Sequence, residues 1–326
     1  MSETTFVQAI AMALAREMEN DDRVVVLGED VARSGGVFRA TDGLLERFGP
    51  DRVIDTPLAE TVIGGLGVGL AGDGMRPAIE IQFAGFMYSA LDQILNHASR
   101  MRNRTRGRLS CPMVLRTPTG GGIKPPEHHS DSPEAILAQI PGLTTVVPSS
   151  PSKAYGLTLA AIRDPDPVVI LEPARLYRAT RADITDDGVA MPLGMSFVER
   201  EGADVTIVAW GGMVSESLAA ADDLATDGIE ATVIDVATIS PLDMQPILES
   251  VERTGRCVIA HEAARQSGFG AEIAARLAEE GLTSLLAPVA RATGYDTIFP
   301  LARLENRYMP NRGRVVAAVH RVLEYA

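Results

Sequence analysis

The chain has 326 residues, of which 46% are hydrophobic, and a formal net charge of −13. That length builds two ordinary cores, no apolar run reaches the length of a membrane span, and the acidic balance excludes nucleic acid, whose phosphates need a basic patch. Two distant cysteines, Cys111 and Cys257, give neither a disulfide framework nor a zinc spacing and suit a reducing cytoplasm; residues 1–5 do not read as a signal peptide.

Phe6, Ile10, Leu14 and Met18 fall at helical spacing and predict a helix over 4–18. A β-branched run over 23–27 ends in Gly28-Glu29-Asp30. Glu60 opens a glycine-rich helix over 60–71. A strand at 78–82, a helix at 87–101 and a strand at 113–115 follow. Next come a helix at 133–139, a strand at 144–147, a helix at 152–162 and a strand at 168–171. A linker rich in Arg, Asp, Gly and Pro spans 175–193. A second alternation has strands at 205–209, 231–235 and 257–260. Its helices lie after Gly211-Gly212, near 244–253, at 270–280 and at 314–325. Alternating strands and helices imply parallel sheets covered on both faces. The expected class is α/β with two domains, 1–190 and 191–326, each a mostly parallel sheet with helices on both faces. Ligands of such sheets sit at the carboxyl ends of the strands, where Glu29, Gln82 and the His129 loop fall.

The most informative stretch is Glu127-His128-His129-Ser130-Asp131-Ser132-Pro133-Glu134. It holds two of the five histidines, at the end of a loop that contains Gly120-Gly121-Gly122. Ser132 is the expected N-cap, Pro133 the first helical residue, and Glu134 suits the positive end of the dipole. A mobile, glycine-rich loop thus delivers an imidazole, which exchanges protons near neutral pH; the ordinary alternative is a surface His pair in a turn.

Glu60 leads into an almost uncharged helix. A carboxyl beside apolar surface has a raised pKa and suits proton exchange with a bound base; the alternative is a glutamate on the helix dipole. Gly65 and Gly69, four apart, predict close approach of another backbone. Gly72-Asp73-Gly74 reads as a helix C-cap and turn. There is no Walker pattern and no GxGxxG directly after a strand. His261-Glu262 reads as a capping or interface pair.

Taken together, these residues resemble, over nearly the full length, the beta subunit of the thiamine-diphosphate-dependent decarboxylase component of 2-oxo acid dehydrogenase complexes. The resemblance is carried by Gly28-Glu29-Asp30, Ile54-Asp55-Thr56-Pro57-Leu58-Ala59-Glu60, Glu80-Ile81-Gln82-Phe83, Asp92-Gln93-Ile94 and His129-Ser130-Asp131-Ser132-Pro133-Glu134. Further matches are Pro141-Gly142-Leu143, Asp166-Pro167-Val168-Val169-Ile170-Leu171-Glu172-Pro173, His261-Glu262 and Gly268-Phe269-Gly270-Ala271-Glu272. It implies a transketolase-like pyrimidine-binding domain, a carboxy-terminal domain, and an alpha-two beta-two assembly. In thiamine enzymes a Gly-Asp-Gly element and a following Asn-Asn hold the magnesium diphosphate. Residues 96–103 contain no Asn pair, so the resemblance leaves magnesium to the alpha chain, with thiamine diphosphate between the two chains.

Carried over residue by residue, Glu60 matches the glutamate on the aminopyrimidine nitrogen, which favours the imino tautomer that makes the carbanion. His129 matches the histidine that assists reductive acylation of the lipoyl group. Gln82 lies beside the pyrimidine, and Phe86 stands where branched-chain members often have tyrosine. Glu29 and Asp92 match acidic groups between paired active sites. A potassium site of some relatives maps to Met113, Ala161, Ile162, Asp164 and Asp166. The implied substrate is a 2-oxo acid, branched-chain or pyruvate; acetoin members share the same motifs. The implied second partner is the lipoyl acyltransferase core, met through its peripheral-subunit-binding domain. Two other readings are a single-chain relative such as transketolase or deoxyxylulose-phosphate synthase, and a non-catalytic α/β subunit. The missing Asn-Asn half-site counts against the first, and retention of Glu60 and His129 against the second.

Overall fold

The computed structural model describes residues 3–126 and 128–325; Glu127 of the histidine stretch lies outside them. The first helix, Phe6–Asn20, starts two residues later than its spacing predicts, because Thr5 is its cap. The Thr5 hydroxyl accepts from Gln8 N, and Gln8 Oε1 accepts from Thr5 N, a reciprocal capping box. Thr4–Thr5 also pairs antiparallel with Arg181–Ala182.

Seven strands form the first sheet, in the order Thr238–Ser240, Thr144–Val146, Val168–Pro173, Val114–Thr119, Arg76–Glu80, Val24–Gly28, Val53–Asp55. All neighbours are parallel except at the Thr238–Ser240 edge. The second sheet runs Ala290–Gly294, Cys257–Ala264, Val205–Ala209, Ala231–Asp235, Phe197–Arg200, with only Phe197–Arg200 antiparallel. The central strands are buried throughout, as sheets covered on both faces require. Besides the two-residue pair Thr4–Thr5 and Arg181–Ala182, four strands escaped sequence reading: Val53–Asp55, Phe197–Arg200, Thr238–Ser240 and Ala290–Gly294. All four lie at sheet edges, and Phe197–Arg200 has two exposed residues, so none shows a continuous apolar run.

Two expectations are corrected. The single helix over 87–101 is three pieces: a 3₁₀ turn Phe86–Ala90, a π-helical stretch Gln93–Ala98 and the short helix Met101–Arg104. The intrachain close approach on helix Glu60–Gly72 is at Gly64 and Gly67. A Cβ at Gly64 would stand 3.2 Å from that of Ala90 and 3.1 Å from that of Gln93, and one at Gly67 would lie 2.6 Å from Met113 Sδ. Gly69 faces open space, on a side that also exposes Val62 and Leu66. Gly72-Asp73-Gly74 ends that helix as read, with Asp73 N bonded to Gly69 O and Gly74 left-handed at φ 93°.

The two sheets share apolar packing. Val147, Leu171, Val208, Trp210, Ile234 and Ile239 belong to one buried cluster. Lys153 of helix Pro151–Arg163 reaches across to Asp235 and Glu199. No helix among the described residues is long and apolar enough to cross a membrane.

Candidate active site

Register brings the predicted residues to one end of the first sheet. Gly28 pairs with Asp55 on one side and Glu80 on the other, and Glu80 with Arg116, so the segments that leave these strands emerge together. A Cβ at Gly28 would lie 2.6 Å from Glu80 O, so only glycine lets the strands close there before Glu29. Asp55 accepts from Ala32 N at 2.7 Å and Arg33 N at 3.3 Å and fixes the loop after Glu29.

Glu29 is buried, and its Oε1 has no hydrogen-bond partner among the described residues. Burial first, then the charges of Glu60 and Asp30, push its carboxyl above the usual carboxylate range, while the Ala59 N–H opposes. Glu29 stands next to Glu60, which is partly exposed at the first position of its helix. Gln82 Nε2 donates to Asp30 Oδ2 at 3.4 Å. Asp92 is exposed and accepts from Gln93 and Asn96 of its own segment, and it is not among the charges acting on Glu29.

The His129 ring lies in an aromatic corner, 4.4 Å from Phe83 and 5.0 Å from Phe86 between centroids, both edge-on. His128 is left-handed at φ 70°, and its carbonyl rests where a Cβ at Gly85 would stand. The loop is closed at its base: Gly120 N and Thr119 Oγ1 both donate to Asp131 O, at 3.1 and 2.8 Å. Ser132 is not the helix cap. Pro133 occupies that position without a side-chain bond, and Ser132 lines a small cavity instead.

That cavity, about 20 Å³, lies between the two halves and is also lined by Glu134, Trp210 and Glu262. Glu134 was read as a dipole residue. It is in fact buried, accepts from Trp210 Nε1 at 3.2 Å, and burial pushes its carboxyl up to about 7. His261 is fully buried and stacked on Trp210 at 5.1 Å, and burial pushes its imidazole down to about 3, so it is a neutral packing group. Glu262 accepts from Gly121 N and pairs with Arg175 at 2.9 Å, in keeping with an interface pair.

One charged cluster was missed as a cluster. Arg116, 1% exposed, is bidentate to Glu172 at 2.8 and 2.9 Å and also bonds Glu80, with Tyr177 donating to Glu172. The available signal was three charges in otherwise apolar strand runs, which on adjacent strands must neutralise one another. The five residues mapped to potassium lie around the end of helix Pro151–Arg163. Ile162 O and Asp164 O both accept from Arg76 Nη1, at 2.7 and 3.1 Å, and Met113 O accepts from Val168 N. No group of three or more His, Cys, Asp or Glu able to hold a metal occurs among the described residues.

Two α/β sheets in tandem, with a glutamate-led helix and a histidine loop at the strand ends of the first, define a chain of transketolase type. The family model "Transketolase, pyrimidine binding domain" matches residues 2–180, and "Transketolase, C-terminal domain" matches 194–315. A solved structure described as "Split gene transketolase, inactive beta4 tetramer" superposes with a TM-score of 0.81 at 27% identity, covering 99% of both chains. "Pyruvate dehydrogenase E1 component subunit beta" of Bacillus subtilis is 48% identical over 325 residues, 100% of each chain. The same-named proteins of Staphylococcus epidermidis and Staphylococcus aureus are 47% and 46% identical over the same span. The chain belongs to the beta-subunit family of the thiamine-diphosphate-dependent 2-oxo acid dehydrogenases.

Proposed function

We propose that this chain joins an alpha-type chain in an alpha-two beta-two decarboxylase that oxidatively decarboxylates pyruvate and passes the acyl group to the lipoyl group of an acyltransferase core. The observation that carries this reading is the pair Glu29–Glu60 at the sheet end that also bears the His129 loop: a buried carboxyl oxygen without a partner among the described residues and a neighbouring, partly exposed carboxyl. Pyruvate is favoured over a branched-chain acid by the names of the three relatives.

The residues fit thiamine diphosphate. A planar aminopyrimidine offers ring nitrogens and an amino group, and the unpartnered Glu29 Oε1 and the partly exposed Glu60 carboxyl are complementary to those groups. When bound, the cofactor supplies the nucleophilic carbon and electron sink for decarboxylation. Glu60 would hold a hydrogen bond at a pyrimidine nitrogen, and Glu29, whose carboxyl is pushed up by burial and by the Glu60 charge, stands next to it. Gln82 and Phe86 orient the ring. Phe83 and Phe86 exclude water around His129, which holds or moves a proton for the acyl acceptor. Tyrosine in place of Phe86 would add a hydroxyl donor to that wall.

Magnesium and the diphosphate belong to the alpha chain in this reading, and the assembly works in the cytoplasm. Residues 1–190 form the pyrimidine half and 191–326 the second half, which meets the basic peripheral-subunit-binding domain of the core. A potassium ion at Met113, Ala161, Ile162, Asp164 and Asp166 is opposed by the Arg76 guanidinium on two of the carbonyls and by Arg102 on the Asp166 carboxylate; a melting temperature higher in potassium than in sodium would support it. Titration calorimetry tests the main reading. The isolated chain should not bind magnesium thiamine diphosphate tightly, and co-expression with an alpha-type chain should give binding and pyruvate decarboxylation together. Tight binding by this chain alone would overturn the shared site.

A further inference from the structure

The glycine run before His129 is packed, not loose. A Cβ at Gly120 would collide with the Glu262 carboxylate. One at Gly121 would stand 2.5 Å from Phe299 and 2.6 Å from Met309 Sδ, and one at Gly122 would lie 2.6 Å from Arg175 Cβ. Through these gaps the second half reaches the loop backbone. Gly121 N donates to Glu262 Oε2 at 3.1 Å. Gly122 N and Lys124 N both donate to Glu305 Oε1, at 2.6 and 3.2 Å. Glu305 is buried, at the start of the short helix Glu305–Tyr308, so its side chain is fixed by the fold of the second half. Bonds from N–H groups to a carboxylate are about twice as strong as neutral ones.

The other end of the loop is seated on the first half, with the His128 carbonyl on Gly85 and the His129 ring against Phe83 and Phe86. With Gly120 and Thr119 tied to Asp131, His129 lies on a loop held at its base by that closure and on its 121–124 side by the second half. We infer that Glu305 and Glu262 are positioning residues for His129, so the second half sets where the imidazole stands. For its activity arm this inference rests on the reaction proposed above; its exchange arm does not.

The test compares wild type, Glu305→Ala, Glu305→Gln and His129→Ala, each assembled with the alpha-type chain. In Glu305→Ala the amides of Gly122 and Lys124 should exchange about tenfold faster, the loss expected for a removed hydrogen bond. Acyl transfer to a lipoyl domain should fall on the order of 10²-fold, as for a group misplaced by about 1 Å, with KM for the 2-oxo acid unchanged. Glu305→Gln should return both to within a few-fold of wild type, because a single oxygen, Oε1, accepts both bonds. Unaltered exchange and transfer in Glu305→Ala, or no recovery in Glu305→Gln, would overturn the inference. Should Glu305→Ala fail to fold, Gly121→Ala displaces the loop from Phe299 and must show the same two losses. If His129→Ala leaves transfer intact, the reaction reading fails while the exchange arm still judges the clamp.

Discussion

Two groups of carboxylates lie at or near the ends of different strands of one sheet, and they are treated in opposite ways. Glu80 and Glu172 are buried against Arg116 and Tyr177, so every charge has an opposite charge or a donor. Glu29, Glu60 and Asp30 have no cation among them; burial and the charges of Glu60 and Asp30 raise the cost of ionising Glu29, and one of its oxygens is left unpartnered. A neutralised cluster stabilises a fold, whereas an uncompensated one persists where something else is bound. The difference predicts which substitutions damage chemistry and which damage folding.

The largest expected effect is on the uncompensated side. Glu60→Gln should lower 2-oxo acid decarboxylation by about 10²–10⁴-fold while the melting curve stays in place, since the amide keeps the shape and removes a repelling charge. Activity near wild type would remove Glu60 from the chemistry. Arg116→Leu breaks the compensated side. It leaves Glu80 and Glu172 buried without their cation and should cost about 3–5 kcal/mol in urea unfolding. A loss under about 1 kcal/mol, the scale of an exposed ion pair, would contradict the contrast.

A smaller effect tests burial without any partner charge. Glu134 has an ordinary value of 4.5 and is pushed up to about 7 by burial. Between those values the unfolded chain has lost the proton and the folded chain keeps it. Stability is therefore full below 4.5, falls as pH rises through that window, and is lowest above 7, with a swing on the order of 3 kcal/mol at most. Glu134→Gln should flatten this slope. Trp210, the only tryptophan, donates its Nε1–H to that carboxyl and reports the titration directly. Its emission should change with a midpoint near 7 in wild type and show no such step in Glu134→Gln.

Much of this was legible in the sequence because it is written in local patterns. Apolar periodicity located the buried strands and the long helices, and Glu60, Gln82 and His129 stand just beyond predicted strands or at a predicted helix start, where such sheets expose their ligands. The edge strands were not legible, since their pairing, and not their own residues, makes them strands. The broken helix at 86–104 depends on what packs against it at Gly64.

The pair of histidines at 129 and 261 marks the same division. Sequence by itself placed an imidazole beyond a predicted strand in each half, the first in a glycine-rich loop, although the second strand runs through His261 to Ala264. Only the tertiary structure decided that His261 is stacked and neutral under Trp210, that the glycines are contact points for Glu262, Glu305 and Phe299, and that Arg116 neutralises two glutamates from neighbouring strands. The physical reason is range. Backbone propensity and apolar spacing act over a few residues, whereas burial, charge compensation and the seating of a loop depend on groups brought together from far along the chain.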